Sequence, residues 1–312
     1  MSDFFTVSVI VATVASGIRL ATPYLFAALG ETLGQRSGVL NLGVEGVMLL
    51  GAFFAYWTAL ETDNLWLAVG VCAAVGLVMG VLYAVVTLGF KAEQGISGIG
   101  VYLFGLGFSE LLYREKVGTP LPTRSLGDWR IPLLGRIPKV GDMFFDHTVL
   151  VYVAFALVPL LSLLIHRTRF GLNVRAVGET PAAADSMGVS VVITRSVTIL
   201  VANMMAGIAG GALALELGIF QQNLTAGIGF IAVALVYFGS WRPTGVMVGA
   251  VLYGLLTATV NQWKTLGIVT GSTASLTTAA PAVLTIAALV VIARRRTEQP
   301  AALTLPFVRG AS

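Results

Sequence analysis

Long apolar runs separated by short polar connections are the feature that most constrains this chain. A helix that crosses a hydrocarbon core of about 30 Å needs about 20 apolar residues. The runs predict an all-α, polytopic membrane protein in which 1–312 forms a single transmembrane domain. They indicate about nine helices (8–10), near 4–29, 41–60, 65–90, 97–113, 147–165, 195–217, 228–240, 245–261 and 278–293. The first run contains Arg19 and Pro23 and the seventh is short, so either helix can be broken or re-entrant.

The composition excludes several classes of protein. Hydrophobic residues make up 56% of the chain and charged residues only 11%, against about 25% charged in soluble domains, so a compact soluble enzyme is excluded. The single cysteine, Cys72, excludes both a disulfide framework and a thiolate metal cluster. The net charge of +4 comes from basic residues in short loops, without a basic groove lined by aromatic residues, so we expect no nucleic-acid partner. Met1-Ser2-Asp3 lacks a basic leader region, which favours a retained first helix.

The distribution of Lys and Arg in short loops predicts the orientation. Basic residues crowd 166–175 and follow the last helix at 294–296, which places both segments, and the C-terminus, in the cytoplasm. The N-terminus then lies outside. The loop 114–146 is predicted to be extracytoplasmic although it holds six basic residues, because four acidic residues dilute them and its prolines and glycines suggest a folded surface loop.

A short repeated motif suggests an inverted-topology repeat of the kind found in many transporters. Gly98-Ile99-Gly100 opens one predicted helix from the inside, and Gly227-Ile228-Gly229 opens another from the outside. Three matched residues in a chain with 36 glycines also fit chance.

The segment 168–195 is the long cytoplasmic connection, and it predicts a short docked helix. Thr180 is a good N-cap, Pro181 suits the first helical position, and the alanines at 182–184 are strong helix formers. Gly188 can adopt the left-handed backbone conformation that ends a helix. A helix this short needs a surface to pack on, either its own bundle or a partner; the alternative is a connector lying on the membrane surface.

Three separated blocks carry a resemblance to a known family. They are GETLGQRSGVLNLGVEGVMLLGAFFA (30–55), FGLNVRAVGETPAAADSMGVS (170–190) and GIGFIAVALVYFGSWRPTGVMVGAVLYG (227–254). In order and spacing they resemble the permease subunits of ABC importers in the ribose/branched-chain amino acid permease superfamily, and most of all the shorter permease of nucleoside uptake systems. The likeness runs from about Ile18 to Leu289.

The resemblance implies a nucleoside importer in the bacterial cytoplasmic (inner) membrane. The implied partners are a second related permease that forms a heterodimer with this chain, an ABC ATPase subunit, and a substrate-binding lipoprotein, which we place at the loop 114–146. The block at 170–190 corresponds to the helix that couples such permeases to the ATPase, which assigns coupling roles to Arg175, Glu179, Thr180, Pro181, Asp185 and Gly188. The chain has no G-x-x-x-x-G-K-[ST] phosphate loop, so we expect a transport subunit that is not an enzyme and binds no cofactor, with ATP and Mg on the partner ATPase.

Ionisable residues within apolar helices cost roughly 2.5–3.5 kcal/mol or more each and are functional candidates. Five residues are candidates for the translocation pathway, where carboxylates and amides suit the hydroxyls and base edges of a nucleoside: Asn41, Glu45, Glu216, Gln221 and Asn223. Asn41 is predicted to share a helical face with Glu45. The alternative for Glu45 is that it caps a neighbouring helix, and for Glu216 that it lies near the outer interface.

Two other charged residues have predicted partners. Arg19 either pairs with Glu31 or Glu45, or marks the end of a shorter first helix. Glu110 is predicted to form an i,i+4 pair with Arg114.

Competing functions remain open at this level. An ABC permease for a simple sugar, a riboflavin-like ligand or a branched-chain amino acid fits the same features, and an ion-coupled secondary transporter fits the intramembrane carboxylates. An intramembrane serine protease built on Ser97 lacks a base nearby, because His147 and His166 lie at the two ends of another predicted helix.

Overall fold

The structure, a computed structural model, describes residues 6–119, 121–132, 134–267, 277, 279–280, 283 and 299–309. Its first half contains four long helices: α1 (Val7–Arg36), α2 (Val44–Thr62), α3 (Leu65–Ala84), which continues into a π-helical turn at Val85–Gly89, and α4 (Gln94–Lys116).

A small folded loop follows, with strand β1 (Asp128–Arg130), a 3₁₀ turn (Leu134–Arg136), helix α5 (Val140–Phe144) and strand β2 (Asp146–Thr148). The second half contains α6 (Val149–Arg167), α7 (Arg169–Glu179), α8 (Pro181–Ser186), α9 (Val191–Leu217), α10 (Ile228–Phe238) and α11 (Pro243–Thr265).

The predicted all-α membrane fold is confirmed. Seven described helices are long and apolar enough to cross a membrane: α1, α2, α3 with its π turn, α4, α6, α9 and α11. The helix predicted at 278–293 lies almost wholly outside the described residues. The first helix is continuous from Val7 to Arg36 despite Pro23, so the broken alternative for it is wrong. Apolar helix interiors tolerate proline where neighbouring groups satisfy the freed backbone.

Helix α9 forms the centre of the bundle because glycines let it approach its neighbours closely. A Cβ added to Gly210 would lie 1.8 Å from the carbonyl oxygen of Met48 in α2. A Cβ on Gly207 would lie 2.3 Å from the carbonyl oxygen of Cys72 in α3. Small residues at helix contacts let backbones meet in lipid, where helix association depends on packing rather than on the hydrophobic effect.

Two helices begin inside the bundle rather than at its ends. Helix α2 starts at Val44, and the preceding Asn41 contacts Asn203, which lies at the middle of α9. Helix α10 starts at Ile228, directly beside Glu45, and has only 11 residues. At a rise of 1.5 Å per residue it is about 16 Å long, about half of a hydrocarbon core. The short seventh helix is therefore a half-helix.

The two ends of the bundle differ in what covers them. One end, here called the α8 end, carries α7 and α8. There a Cβ on Gly178 would lie 2.0 Å from the carbonyl oxygen of Arg36. The other end, here called the ribbon end, carries the antiparallel pair β1 and β2, in which Trp129 lies opposite His147.

Ion pairs neutralise the basic residues of the loop 114–146. Arg130 Nη2 lies 2.7 Å from Asp142 Oδ1 within the loop, and Arg124 Nη1 lies 3.0 Å from Asp63 Oδ2 at the end of α2. Its many basic residues are thus partly offset by acidic neighbours, as the mixed composition of the loop suggested.

Candidate functional site

The α8 end presents the segment predicted to couple the permease to an ATPase. The predicted helix is present as α8, with Pro181 at its first turn and Gly188 in the left-handed region at φ +85°. Thr180 precedes the helix but makes no side-chain capping hydrogen bond. Sequence reasoning missed α7, whose N-cap Thr168 accepts a hydrogen bond from the Gly171 N–H.

The C-terminal segment 299–309, here called the strap, lies across this region. Its backbone N–H groups at Ala301 and Ala302 donate to the Glu179 carboxylate (3.3 Å) and to the Gly178 carbonyl (2.8 Å). Arg309 Nε donates to Asp185 Oδ2 at 2.9 Å. Two of the predicted coupling residues, Glu179 and Asp185, are thus bound within the chain.

The outward face of α8 stays open. Thr180, Ala182 and Ala183 are exposed, and Met187 is 84% exposed, although an apolar side chain is usually covered. The buried face holds Ala184, which packs with Val177 and Val191. Arg175 is half-buried and donates to the Gly171 carbonyl. The geometry therefore offers a small apolar surface on a helix that is fixed from behind.

A buried guanidinium links the strap to the bundle. Arg195 is 1% exposed; its Nε donates to the Ser37 carbonyl at 3.0 Å and its Nη1 to the Leu305 carbonyl at 2.9 Å. It thereby connects the start of α9, the turn after α1 and the strap.

Glu45 lies buried in the middle of the bundle at the start of α10. Its carboxylate accepts hydrogen bonds from the Thr225 hydroxyl (2.6 Å), the Gly227 N–H (2.7 Å) and the Gly229 N–H (2.6 Å). Glu45 also lies in the first turn of its own helix α2. A negative charge between two helix N-termini is electrostatically favourable, and the contacts are those of a helix cap, the alternative interpretation given above.

Asn41 lies in the turn before α2, so the prediction that it shares a helical face with Glu45 is wrong. The backbone leaves the helical conformation at 37–43, in the glycine-rich stretch that contains Gly38 and Gly43. The Asn41 Nδ2 donates to Asn203 Oδ1 at 3.1 Å, and its Oδ1 accepts from the Gly43 N–H at 2.8 Å. Asn41 thus holds the broken end of α2 against α9.

The two glycine motifs of the suggested repeat meet at this junction. A Cβ on Gly98 would lie 2.7 Å from the Leu42 nitrogen, and one on Gly229 would lie 2.6 Å from the Glu45 Cα. Gly98 lies in the second turn of α4 and does not open it, since that helix starts at Gln94. Both motifs let a helix approach the start of α2.

A polar cavity lies at the ribbon end, and Glu216 and Arg19 line it. The prediction that Arg19 pairs with Glu31 or Glu45 is wrong. Its Nη2 lies 3.4 Å from Asp128 Oδ2 in β1, and its Nη1 lies 3.9 Å from Glu216 Oε1. The two residues lie at different levels along α1. Arg19 lies in its first half, near the ribbon, whereas Glu31 lies near the opposite end of that helix.

The remaining predicted pathway residues lie in the turn 218–227, which is exposed at 221–223 and buried at Phe220, Leu224 and Thr225. Gln221 and Asn223 are both exposed and do not join Glu45 or Glu216 in one site. The i,i+4 ion pair between Glu110 and Arg114 is confirmed, and Gln222 Nε2 donates to the same carboxylate at 3.2 Å.

Two ionisable groups outside the spans have shifted pKa values. Burial lowers the pKa of His147, whose Nδ1 accepts from Arg19 Nε at 3.4 Å while Nε2 lies 2.9 Å from the Met143 carbonyl. Backbone N–H groups of Ile96 and Gly95 hold the pKa of Glu93 below its usual range. His147 is thus favoured as a neutral ring under the ribbon.

Sequence reasoning also missed the amides of the cavity. Asn261 and Gln262 line it from the last turns of α11, facing Glu216 across the space between helices. Two adjacent amides at the end of an otherwise apolar run are a signal that could have found them. No pattern in residues 299–309 predicted that the strap would pack against α7 and α8.

These features define a class of protein: a multi-pass membrane permease with a half-helix at its centre and a docked pair of helices at one end. The family described as "Branched-chain amino acid transport system / permease component" matches residues 13–293, and the chain belongs to that family. No solved structure is significantly similar to the chain.

Curated relatives agree with the family. The chain is 33% identical over 257 residues to the nucleoside ABC transporter permease protein NupC of Lactococcus lactis, covering 78% of this chain and 80% of that protein. It is 30% identical over 302 residues to the guanosine ABC transporter permease protein NupQ of Bacillus subtilis, covering 93% and 94%. It is also 27% and 22% identical to NupP and NupB, further permease proteins named from the same two organisms.

A relative named for a different substrate has a higher identity to this chain than NupC or NupQ. The chain is 38% identical over 249 residues to TsgC13 of Haloferax volcanii, covering 77% of this chain and 74% of that protein. The name of TsgC13 assigns it provisionally to a glucose ABC transporter. The relatives are transport components, and so the family places this chain among ABC permease subunits rather than enzymes.

Proposed function

We propose that the chain is one permease subunit of an ATP-driven importer of nucleosides in a bacterial cytoplasmic membrane. The observation that carries the proposal is the likeness over almost the whole chain to a permease named for guanosine, at 30% identity. The likeness to a nucleoside permease at 33% identity supports it.

A second permease is the proposed partner within the membrane. The chain is similar to two permeases from each of two organisms, NupC and NupB in one and NupQ and NupP in the other. Two related but different subunits in one system favour a heterodimer. A substrate-binding lipoprotein at the ribbon end and an ATPase at the α8 end complete the proposed assembly, which places α8 and the C-terminus in the cytoplasm.

The proposed route of coupling runs through α8. The exposed Met187 and the alanines beside it form an apolar contact for a groove on the ATPase. Arg195 and the strap connect α8 to the ends of α1 and α9. ATP binding that moves the ATPase would then tilt these helices as a unit, with ATP and Mg held by the partner.

The proposed pathway residues divide into two roles. Glu216 lines the ribbon-end cavity and is proposed to meet the substrate there. Asn41 and Glu45 are proposed to hold the starts of α2 and α10 at the middle of the pathway, since their polar atoms are engaged by the backbone and by Asn203. Gln221 and Asn223 are proposed to lie at the outer rim, because they are exposed in the turn before α10.

A hexose is the second candidate substrate. The 38% identity to a permease named provisionally for glucose supports it. The two candidates share ring hydroxyl groups and differ in the base, so uptake separates them.

The deciding experiment is uptake by cells or proteoliposomes that contain the complete system. ATP-dependent uptake of labelled guanosine or uridine that excess unlabelled glucose does not reduce is the expected result. Uptake of glucose alone would overturn the nucleoside assignment. Uptake driven by a proton or sodium gradient without ATP would overturn the importer class.

The coupling role of α8 has its own test. Met187→Glu places a charge on the exposed apolar contact and should abolish ATP-driven uptake and release the ATPase from the purified complex. The matched control is Met187→Leu, which keeps an apolar side chain of similar size and should retain both. Because Met187 is 84% exposed, neither change disturbs the fold. Retention of the ATPase by Met187→Glu would refute the assignment.

A further inference from the structure

A cavity of about 420 Å³ lies at the ribbon end of the bundle, between α1, α6, α9 and α11. We propose that it is a binding site of the permease itself for a small neutral ligand with vicinal hydroxyl groups. This is the chemistry that the ribose of a nucleoside and a hexose share. The proposal rests on the proposed function, because it places the site on the route of the transported molecule.

The size of the cavity suits such a ligand. Small-molecule sites in proteins span about 300–1,000 Å³, and the volume here falls at the lower end of that range. The cavity is partly open rather than an enclosed void, so a ligand could enter it without a large rearrangement.

The charge of the cavity selects a neutral ligand. Among its described lining residues, Arg19 and Glu216 are the charged ones, one of each sign. Asp128 in β1 also pairs with Arg19, at 3.4 Å, so the cavity has no excess positive charge for an anionic ligand. Arg19 Nη1 and Glu216 Oε1 are 3.9 Å apart, and the two side chains are 36% and 31% exposed. A charged ligand would bring an uncompensated charge into a partly desolvated space, which is unfavourable. A hydroxylated neutral ligand instead finds both a cationic donor and an anionic acceptor.

The polar groups are of the kinds that hydroxyl pairs bind. The Glu216 carboxylate accepts hydrogen bonds on two oxygens, while the amides of Asn261 and Gln262 both donate and accept. The hydroxyl of Ser16 adds a group that does either. These groups come from three different helices and line one space. An ionisable residue within a membrane helix, such as Glu216, is a functional candidate by default.

Apolar residues complete the wall. Leu20, Leu213 and Ala258 line the same space and offer a surface for the apolar face of a sugar ring or a base. A site with a few placed polar groups on an apolar wall is the usual composition of a ligand pocket.

Direct binding to the purified complex tests the proposal. Equilibrium binding of tritiated guanosine and of tritiated glucose is measured without ATP, on the full-length chain in its complex and without the lipoprotein. Ala258→Phe fills the cavity, Glu216→Gln removes its carboxylate, and Gln262→Ala removes a half-exposed amide. The matched control is Glu110→Gln, a carboxylate that lies at the same end of the bundle and outside the described lining of the cavity.

The expected result is that the wild type binds at least one of the two ligands and that each cavity variant binds it at least tenfold more weakly. Glu110→Gln should bind within twofold of the wild type. Binding of guanosine alone assigns the site to nucleosides, and binding of glucose alone assigns it to hexoses. The complex of each variant must elute as one species, and Gln262→Ala keeps the test valid if Ala258→Phe does not fold.

The outcomes separate this proposal from the proposed function. Normal nucleoside uptake in all three cavity variants, or no binding of either ligand by the wild type at millimolar concentration, overturns the cavity site and leaves the importer assignment standing. Hexose uptake that Ala258→Phe abolishes, with no nucleoside uptake, overturns the nucleoside assignment and keeps the site.

Discussion

Replacement of Glu45 tests whether a single carboxylate holds the half-helix α10 against the start of α2. In the structure this side chain is 1% exposed and accepts three hydrogen bonds of 2.6–2.7 Å from Thr225, Gly227 and Gly229. Hydrogen bonds to a charged group contribute about 1.5–3 kcal/mol each, and a buried donor left without a partner costs about 1–3 kcal/mol. The start of α10 therefore depends strongly on this one residue.

The magnitude follows from the donors that each variant leaves unsatisfied. Glu45→Gln keeps the shape and one acceptor oxygen but turns an NH₂ group toward backbone N–H groups, so the unfolding free energy should fall by about 2–4 kcal/mol. Glu45→Ala leaves all three donors without an acceptor, and the fall should be about 4–7 kcal/mol. Thr225→Val removes one donor together with its hydrogen bond and should lower the unfolding free energy by about 1 kcal/mol.

The assay is reversible unfolding of the purified chain in mixed detergent micelles, followed by tryptophan fluorescence. Glu110→Gln serves as the control, because its side chain is 36% exposed and its contacts are an i,i+4 pair with Arg114 and a hydrogen bond from Gln222. An exposed i,i+4 pair contributes about 0.3–0.5 kcal/mol. A Glu45→Gln variant that unfolds within about 0.5 kcal/mol of the wild type would refute the capping role. A variant of normal stability that fails to transport would instead support a direct role in the pathway.

Three further predictions address packing, coupling and pH. Gly210→Ala should lower the unfolding free energy by at least about 2 kcal/mol, because the new Cβ meets a carbonyl oxygen at 1.8 Å, whereas Gly100→Ala, with no atom within 4 Å, should be neutral or stabilising in the same unfolding assay. Arg309→Gln should increase hydrogen exchange in 181–188 while changing global stability by less than about 1 kcal/mol, because the Asp185 pair is exposed; unchanged exchange would contradict a role for the strap. Since burial lowers the pKa of His147, the undocked ribbon binds more protons below about pH 6.5. Once exchange is corrected for the intrinsic rate at each pH, the protection of amides in 126–148 should therefore fall as the pH falls from 7 to 5, and a His147→Gln variant should lose that dependence.

The apolar runs predicted the membrane class and the positions of most helices because burial in lipid demands a minimum length of apolar residues. Helix α3 with its π turn ends at Gly89, next to the predicted end at 90. The end of α8 at Gly188 could also be predicted from the neighbouring sequence, because the left-handed backbone that ends a short alanine-rich helix favours glycine. The partners of charged residues could not be predicted from the neighbouring sequence. Arg19 pairs with Asp128 across 109 residues of sequence, and only the position of the ribbon over α1 decides that contact.

What the sequence by itself determined is the class: a chain with so few charges must cross a membrane, and its three blocks resemble ABC permeases. Local sequence patterns also identified Glu45, Glu216 and helix α8 as candidate functional features. The tertiary structure decided their roles, because each role depends on what packs opposite. Glu45 faces the start of α10 and acts as a cap, whereas Glu216 faces an open space with Asn261 and Gln262. No local pattern carries that difference, since both residues are carboxylates in apolar helices and only the distance between helices separates a filled contact from a cavity.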